Sequence, residues 1–177
     1  MRKIALILPI SIISSFLMLD QNAGEISPEK AYQMLKNPST YLVDVRSIAE
    51  YVFIGHPKEA YNIPLMFWSE EKQDLVPNAN FIQDIKSRFK ENDTLIFICR
   101  SGKRSLVAAE LAKAENFTNV YNLKEGFEGE KDERGYRTLN GWRKRGLPYT
   151  YDLLEEFIYR YLNQKSAKTE QYPLIHI

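Results

Sequence analysis

Thr94-Leu95-Ile96-Phe97-Ile98 is an apolar, β-rich run with no polar break after its first residue, and it ends on Cys99, the chain's single cysteine. Such a run reads as a buried strand. Arg100-Ser101-Gly102-Lys103-Arg104 follows at once. Next comes Ser105-Leu106-Val107-Ala108-Ala109-Glu110-Leu111-Ala112, rich in good helix formers with apolar residues at helical spacing. Strand, short loop and helix in immediate succession fix the local fold: Cys99 sits at a strand-to-helix turn. The N–H groups of a helix start have no intrahelical partner, and the helix dipole favours negative charge there. With Arg100, Lys103 and Arg104 beside it, that field is expected to lower the thiol pKa and populate the thiolate. The layout is that of an anion-cradling loop around a nucleophile.

A free cysteine after an apolar strand is otherwise a small buried hydrophobe. Three cations and a glycine in the next five residues are poor company for a core residue and favour the reactive reading. The chain's 177 residues are one domain's worth, enough for a sizeable core. Its formal net charge of +1 gives no global drive toward nucleic acid or membrane, so the positive field around Cys99 is local. The N-terminus differs. Arg2-Lys3 precedes an apolar stretch over residues 4–19, interrupted only by serines and Pro9, and Asp20-Gln21-Asn22-Ala23-Gly24 then turns small and polar. That succession is a secretory signal, with cleavage expected after Ala23. The stretch is short for a membrane span and Pro9 is awkward within one; an uncleaved anchor is the alternative, and the only expected route to a membrane. The expected location is periplasmic or otherwise exported. There, a lone cysteine has no intramolecular disulfide partner, and an exposed thiol is a liability unless it is buried or employed.

Further motifs accompany the loop. Leu42-Val43-Asp44-Val45-Arg46, Glu50-Tyr51, Gly55-His56 and Ala60-Tyr61-Asn62-Ile63-Pro64 precede it; Val120-Tyr121-Asn122-Leu123, Gly126 and Trp142 follow it. Together, over roughly residues 25–150, they resemble the rhodanese family, the single-domain sulfurtransferases. The resemblance implies an α/β, rhodanese-like fold with a parallel sheet of about five strands and helices on both faces. It also implies that Cys99 carries sulfane sulfur as a persulfide. Related cysteine phosphatases and arsenate reductases of similar fold have one more residue between Cys and Arg. The shorter Cys99-x4-Arg104 spacing makes a narrower ring of amide donors, which by resemblance fits a persulfide. Pro57 and Glu59 depart from the family pattern, standing where an apolar residue and a glycine are usual. Glu125 replaces one of two usual glycines, and a charged insert over 128–140 is extra.

Elsewhere, Ser27-Pro28-Glu29-Lys30 reads as an N-cap with proline at the first helical position. That helix should carry Ala31, Met34 and Leu35 inward and stop near Asn37-Pro38. Residues 41–45 read as a strand. Asp44 and Arg46 at its end are expected around the site rather than in it, Asp44 accepting backbone N–H groups near the Cys99 loop and Arg46 pairing with Glu50. His56 tempts as a base for the thiol, but a thiolate held by a loop and cations needs none, and by resemblance the Gly-His pair is a packing turn. Residues 81–89 pattern as a helix on the sheet, and 151–162 as a closing amphipathic helix. Phe67-Trp68, at the mouth of the site or in the core, precedes a polar loop over 69–80. The insert places acidic residues at alternate positions before Gly135. Arg134 takes a ligand-like place, however, and no later glutamate completes a calcium loop, so a lid beside the active loop is expected. The two histidines, His56 and His176, and Cys99 are too far apart to form a metal cluster, and no metal or cofactor is expected.

The expected organisation is a signal over 1–23, the catalytic domain over 24–163 and a tail over 164–177. The expected function is sulfur transfer from a small anion such as thiosulfate, through Cys99, to cyanide or a thiol, a protein thiol included. Arg100, Ser101, Gly102, Lys103 and Arg104 would form the substrate loop, their amides stabilising the sulfur's negative charge. Arg100 and Lys103 would draw in the donor, Arg104 would brace the loop, and Gly102 would let the backbone curl. Two rivals stand: a relay or redox-sensing module that keeps the same cysteine, and a cysteine phosphatase or arsenate reductase, which the short loop disfavours.

Overall fold

Strands and helices alternate along residues 23–159, the part of the chain that the structure, a computed structural model, describes. In chain order they are β1 (Gly24–Ile26), α1 (Pro28–Met34), β2 (Thr40–Asp44), α2 (Ile48–Ile54), β3 (His56–Pro57), β4 (Tyr61–Asn62), β5 (Met66–Ser69), β6 (Asp74–Pro77), α3 (Phe81–Arg88), β7 (Thr94–Ile98), α4 (Lys103–Ala114), β8 (Asn119–Leu123) and β9 (Tyr149–Thr150). The expected signal, except Ala23, and the tail lie outside the described residues. Among those residues no helix is long and apolar enough to cross a membrane.

Five strands make one parallel sheet in the order β1-β8-β7-β2-β4, as the resemblance implied. β7 lies at its centre, which is why its sequence is apolar without alternation: both faces are covered. Successive side chains go to opposite sides. Leu95, Phe97 and Cys99 join Val43 and Val45 on the side of α3 and α4, where Ile85, Ala108 and Ala112 complete one core. Leu42, Ile96 and Ile98 face the other way, onto Ala31 of α1, Leu123, Phe127 and Trp142. Cys99 therefore leaves the carboxyl end of the central strand on the α4 side.

Local chemistry explains the helix starts. Ser27 Oγ accepts the Lys30 N–H at 3.3 Å and Pro28 opens α1, as the sequence indicates. Ser47 and Glu50 exchange hydrogen bonds in a capping box that starts α2, and Gly55 ends that helix at φ +82°.

Two elements differ from expectation. The polar stretch after Trp68 is not a loop but the hairpin of β5 and β6, with Trp68 opposite Leu75. Residues 151–159 form no helix, and 160–162 lie outside the described residues. Phe157 instead gives its carbonyl to the Asn62 N–H (2.7 Å), satisfying the free edge of β4, while the Tyr159 hydroxyl donates to Asp84 Oδ2 at 2.8 Å. Backbone satisfaction at a sheet edge outweighs the apolar periodicity here.

Asp44 and Arg46 also pair differently. Arg46 is 0% exposed and binds Asp44, not Glu50. Its Nη2 reaches Asp44 Oδ2 at 2.6 Å and the Gly55 carbonyl at 2.8 Å, its Nε meets Asp44 Oδ1 at 2.9 Å, and its guanidinium lies 4.5 Å from the Phe127 ring centroid. Asp44 takes the Arg46 N–H as well (3.0 Å), so no capacity is directed to the Cys99 loop. The two-residue offset puts the carboxylate within reach of both the backbone and the head group of Arg46, whereas Glu50 faces the start of α4. Removing one partner of a buried pair leaves an uncompensated charge. Asp44→Ala is therefore expected to lose about 3–5 kcal/mol in urea unfolding. A loss below about 1 kcal/mol would show that Arg46 finds its counter-charge elsewhere.

Candidate active site

The turn from β7 to α4 is held from outside. The Cys99 carbonyl accepts the Phe127 N–H at 2.8 Å, and the Arg100 carbonyl accepts those of Glu128 and Gly129 at 3.0 and 3.1 Å. These peptides are trans and planar, so the N–H groups of Arg100 and Ser101 point away from that wall. The Gly102 carbonyl is likewise taken, by the Leu106 N–H (3.1 Å) and Ser105 Oγ (3.1 Å), which turns the Lys103 N–H the other way. Among the described residues, no backbone N–H from 100 to 105 donates a hydrogen bond. Gly102 has φ +88°, and a Cβ there would stand 2.0 Å from the Lys124 carbonyl oxygen; only glycine fits. Gly126 (φ +67°) is equally constrained, its would-be Cβ lying 2.5 Å from the Ser101 nitrogen.

Cys99, 1% exposed, lies at the floor of a cleft of about 480 Å³. Glu50 and Arg104 form one side of it, Arg100 and Lys103 stand exposed at its rim, and Trp68 with Leu75 forms an apolar wall. Glu50 receives Nη1 and Nη2 of Arg104 at 2.8 and 2.6 Å and the Ser47 N–H at 3.1 Å. Burial alone would push its carboxyl pKa up; the Arg104 hydrogen bonds and charge, with Ser47, outweigh that and hold it at about 2. Arg104 thus braces α4 against α2, as a loop-bracing role requires. Arg100 and Lys103 make no ion pair among the described residues, so theirs is the free positive charge at the mouth.

One further residue reaches the thiol, backed by a second. Ser105 Oγ is 3.3 Å from Cys99 Sγ and 2.7 Å from Asn122 Oδ1, and both residues are buried. A hydroxyl carries one proton, so Ser105 donates to one of three acceptors in reach, Asn122 Oδ1, the Gly102 carbonyl at 3.1 Å or the sulfur, and a thiolate on Cys99 is the charged one among them. Sequence reasoning did not single out this pair. The signal was nonetheless present: Asn122 is the polar residue in the run Val120–Leu123, next to β7 in register with Phe97.

The remaining candidates fall outside the cleft lining. His56 stacks on Tyr51 with ring centroids 3.6 Å apart, its Nδ1 3.1 Å from the Pro57 carbonyl oxygen, and burial pushes its pKa down. It is a packing histidine.

A sequence model of the rhodanese-like domain matches residues 27–133. The chain belongs to the rhodanese-like domain family. RP600 of Rickettsia prowazekii (strain Madrid E) is 36% identical over 137 residues, covering 76% of this chain and 100% of that protein. The thiosulfate sulfurtransferase GlpE of Actinobacillus pleuropneumoniae is 25% identical over 130 residues, 73% of this chain and 95% of that one. Among solved structures, Rv0390 from M. tuberculosis superimposes with a TM-score of 0.63 at 38% identity, over 74% of this chain and 99% of that one. A polysulfide-sulfur transferase homodimer from Wolinella succinogenes shares the fold, at TM-score 0.52 and 19% identity over 81% and 85% of the two chains.

This rhodanese-like domain absorbs its departures locally. Glu59 adopts φ +62° where the family has glycine. Glu125 accepts the Gly141 N–H at 2.9 Å and pairs with Arg145. The insert is a short hairpin bridged at Lys131 and Arg137, with Asp132 accepting the N–H groups of Arg134 (3.0 Å) and Tyr136 (2.9 Å). Its acidic residues build a turn, and among the described residues no cluster suits a metal ion. Its first residues, Glu128 and Gly129, hydrogen-bond to the active loop. Residues 130–140 do not line the cleft, so the expected lid is a wall.

Two outcomes follow from this geometry. Because the folded Glu50 pKa lies below its unfolded value of about 4.3, its contribution is full above that value and vanishes as pH falls toward about 2. The urea-unfolding difference between wild type and Glu50→Gln should therefore be constant near neutrality and shrink between about pH 5 and pH 2; a difference flat to pH 2 would contradict the pairing. Ser105→Ala should slow alkylation of Cys99 by iodoacetamide at pH 7 by about three- to tenfold, on the scale of one net hydrogen bond. An unchanged rate would remove Ser105 from the site.

Proposed function

We propose that the protein is an exported thiosulfate sulfurtransferase acting through a Cys99 persulfide. The observation that carries this reading is the set of unpartnered loop N–H groups beside a buried thiol, with two free cations at the mouth. Backbone donors already ordered before reaction stabilise developing negative charge at little reorganisation cost. The likeness to a thiosulfate sulfurtransferase supports thiosulfate as donor.

Arg100 and Lys103 attract the donor dianion to the rim. Cys99 as thiolate attacks the outer sulfur: the Sγ–S bond forms, the S–S bond of thiosulfate breaks, and its electron pair leaves with sulfite. The persulfide's terminal sulfur carries one negative charge, facing the amides of residues 100–104. A nucleophile such as cyanide then takes that sulfur as thiocyanate and returns the thiolate. A cellular or protein thiol does the same, leaving as a persulfide. Atoms and charge balance in both halves, with no external oxidant. Ser105 steadies the sulfur in each form, and Arg104 keeps α4 docked on α2 while the donor exchanges. The signal-like residues 1–23 support action outside the cytoplasm.

Intact mass of the purified protein before and after thiosulfate tests the reading. A gain of about 32 mass units, one sulfur atom, lost on cyanide addition and absent in Cys99→Ser, is expected. No gain on a demonstrably free thiol would overturn thiosulfate as donor. A persulfide that forms but is discharged only by a protein thiol would favour the relay module. Turnover of an aryl phosphate would favour the phosphatase.

A further inference from the structure

The edge strand β1 brings a carboxylate toward the sulfur from behind the site. Glu25 pairs in register with Asn122 across β1 and β8, so the two side chains share one face of the sheet. It is the α4 face, which Ala23 and Val120, two residues earlier in each segment, also cover. Glu25 Oε1 accepts from Asn122 Nδ2 at 3.3 Å, Asn122 Oδ1 accepts from the Ser105 hydroxyl at 2.7 Å, and Ser105 Oγ lies 3.3 Å from Cys99 Sγ. Asn122 and Ser105 are buried. The Glu25 side chain is 46% exposed, with Lys124 Nζ 3.9 Å from its Oε2. Glu25, Asn122 and Ser105 all lie outside the cleft lining. A hydrogen-bonded path therefore joins the outer edge of the sheet to the thiol.

The path has a direction. A carboxylate only accepts, so Glu25 sets the Asn122 amide with Nδ2 toward β1 and Oδ1 toward Ser105. A buried acceptor left without a donor is costly, so Oδ1 holds the Ser105 proton. A thiolate on Cys99 competes for the same proton. Taking it leaves Oδ1 and Oγ face to face with no hydrogen between them. Turning the amide over would give Oγ a donor, but it would set Oδ1 against the Glu25 carboxylate.

We propose that Glu25 is a positioning residue for Cys99: through Asn122 it draws the Ser105 proton off the sulfur and so favours the form in which Sγ is uncharged. This rests on the sulfurtransferase reading of Cys99. In the thiolate the charge sits on Sγ, whereas in the persulfide it sits on the outer sulfur and Ser105 is released to Asn122. Only the hydroxyl rotates; its proton stays on it and no covalent bond changes. Glu25 thereby tilts the balance from the free thiolate toward the loaded form.

The pH profile of Cys99 alkylation by iodoacetamide tests the path. Arg100, Lys103, Arg104 and Glu50 face the thiol from the cleft and are untouched by a change at Glu25, which faces Lys124 and Asn122. Glu25→Gln, whose amide can donate to a turned Asn122, should lower the midpoint of the profile by about half to one pH unit, the three- to tenfold scale of one net hydrogen bond. In a Ser105→Ala background the same substitution should leave the midpoint where it is. The equilibrium ratio of persulfide to free thiolate, set with thiosulfate and sulfite, should fall in Glu25→Gln by the same factor. An unmoved midpoint, an unmoved ratio, or an equal shift without Ser105, the mark of charge alone, overturns the positioning role. A Ser105-dependent shift with no persulfide from thiosulfate sustains that role and overturns thiosulfate transfer.

Discussion

Three hydrogen bonds outside the loop determine what happens inside it. The N–H groups of Phe127, Glu128 and Gly129 capture the carbonyls of Cys99 and Arg100. A planar trans peptide cannot turn its carbonyl one way without sending its N–H the other. The wall segment thus orients amide donors that it does not bond, and the two glycines at the contact, Gly102 and Gly126, exist so that the backbones can close to that distance. The proposed anion site is a consequence of outward carbonyl satisfaction, which explains why no group among the described residues uses those amides.

The wall itself hangs on a second constraint. Phe127 packs in the core under Trp142, and the Arg46 guanidinium lies over its ring. Arg46 is fixed by Asp44 at the end of β2, by the Gly55 carbonyl at the end of α2, and through Asn62, whose amide donates to the carbonyls of Asp44 and Arg46. A buried ion pair is a poor source of net stability but a strict positional device, because every alternative leaves a charge without a partner. The strand ends, the wall and the loop are held in one register by groups that never meet substrate. Glu50 repeats the device nearer the cleft, tying α2 to α4 through Arg104 while taking that cation out of the pool available to an anion.

The place of Cys99 was legible in the sequence because it follows from local rules, an apolar run for a strand covered on both faces and a glycine where the loop must curl, as was the capped start of α1; the parallel sheet was legible only through the resemblance to the rhodanese family. What was not legible depends on which neighbour tertiary structure supplies. Arg46 lies two residues from Asp44 and four from Glu50, both within side-chain reach, and only the facing of α2 decides between them. Asn122 and Ser105 become a pair because β8 lies beside β7, which no spacing reveals. The stretch after residue 150 has a genuine apolar period, but the unpaired edge of β4 claims its backbone. The stretch after Trp68 is polar because a two-stranded ribbon at the surface needs few buried residues, and it hid a hairpin that walls the cleft.

The central claim is that the amides of residues 100–104 receive a negatively charged sulfur on Cys99. A crystal structure of the protein after reaction with thiosulfate tests it most directly. The account predicts one additional sulfur about 2.05 Å from Sγ, within about 3.5 Å of several of those N–H groups and on the side away from the 127–129 wall. An unmodified Sγ, or a bound sulfur turned toward Trp68 with the loop amides unoccupied, would contradict it.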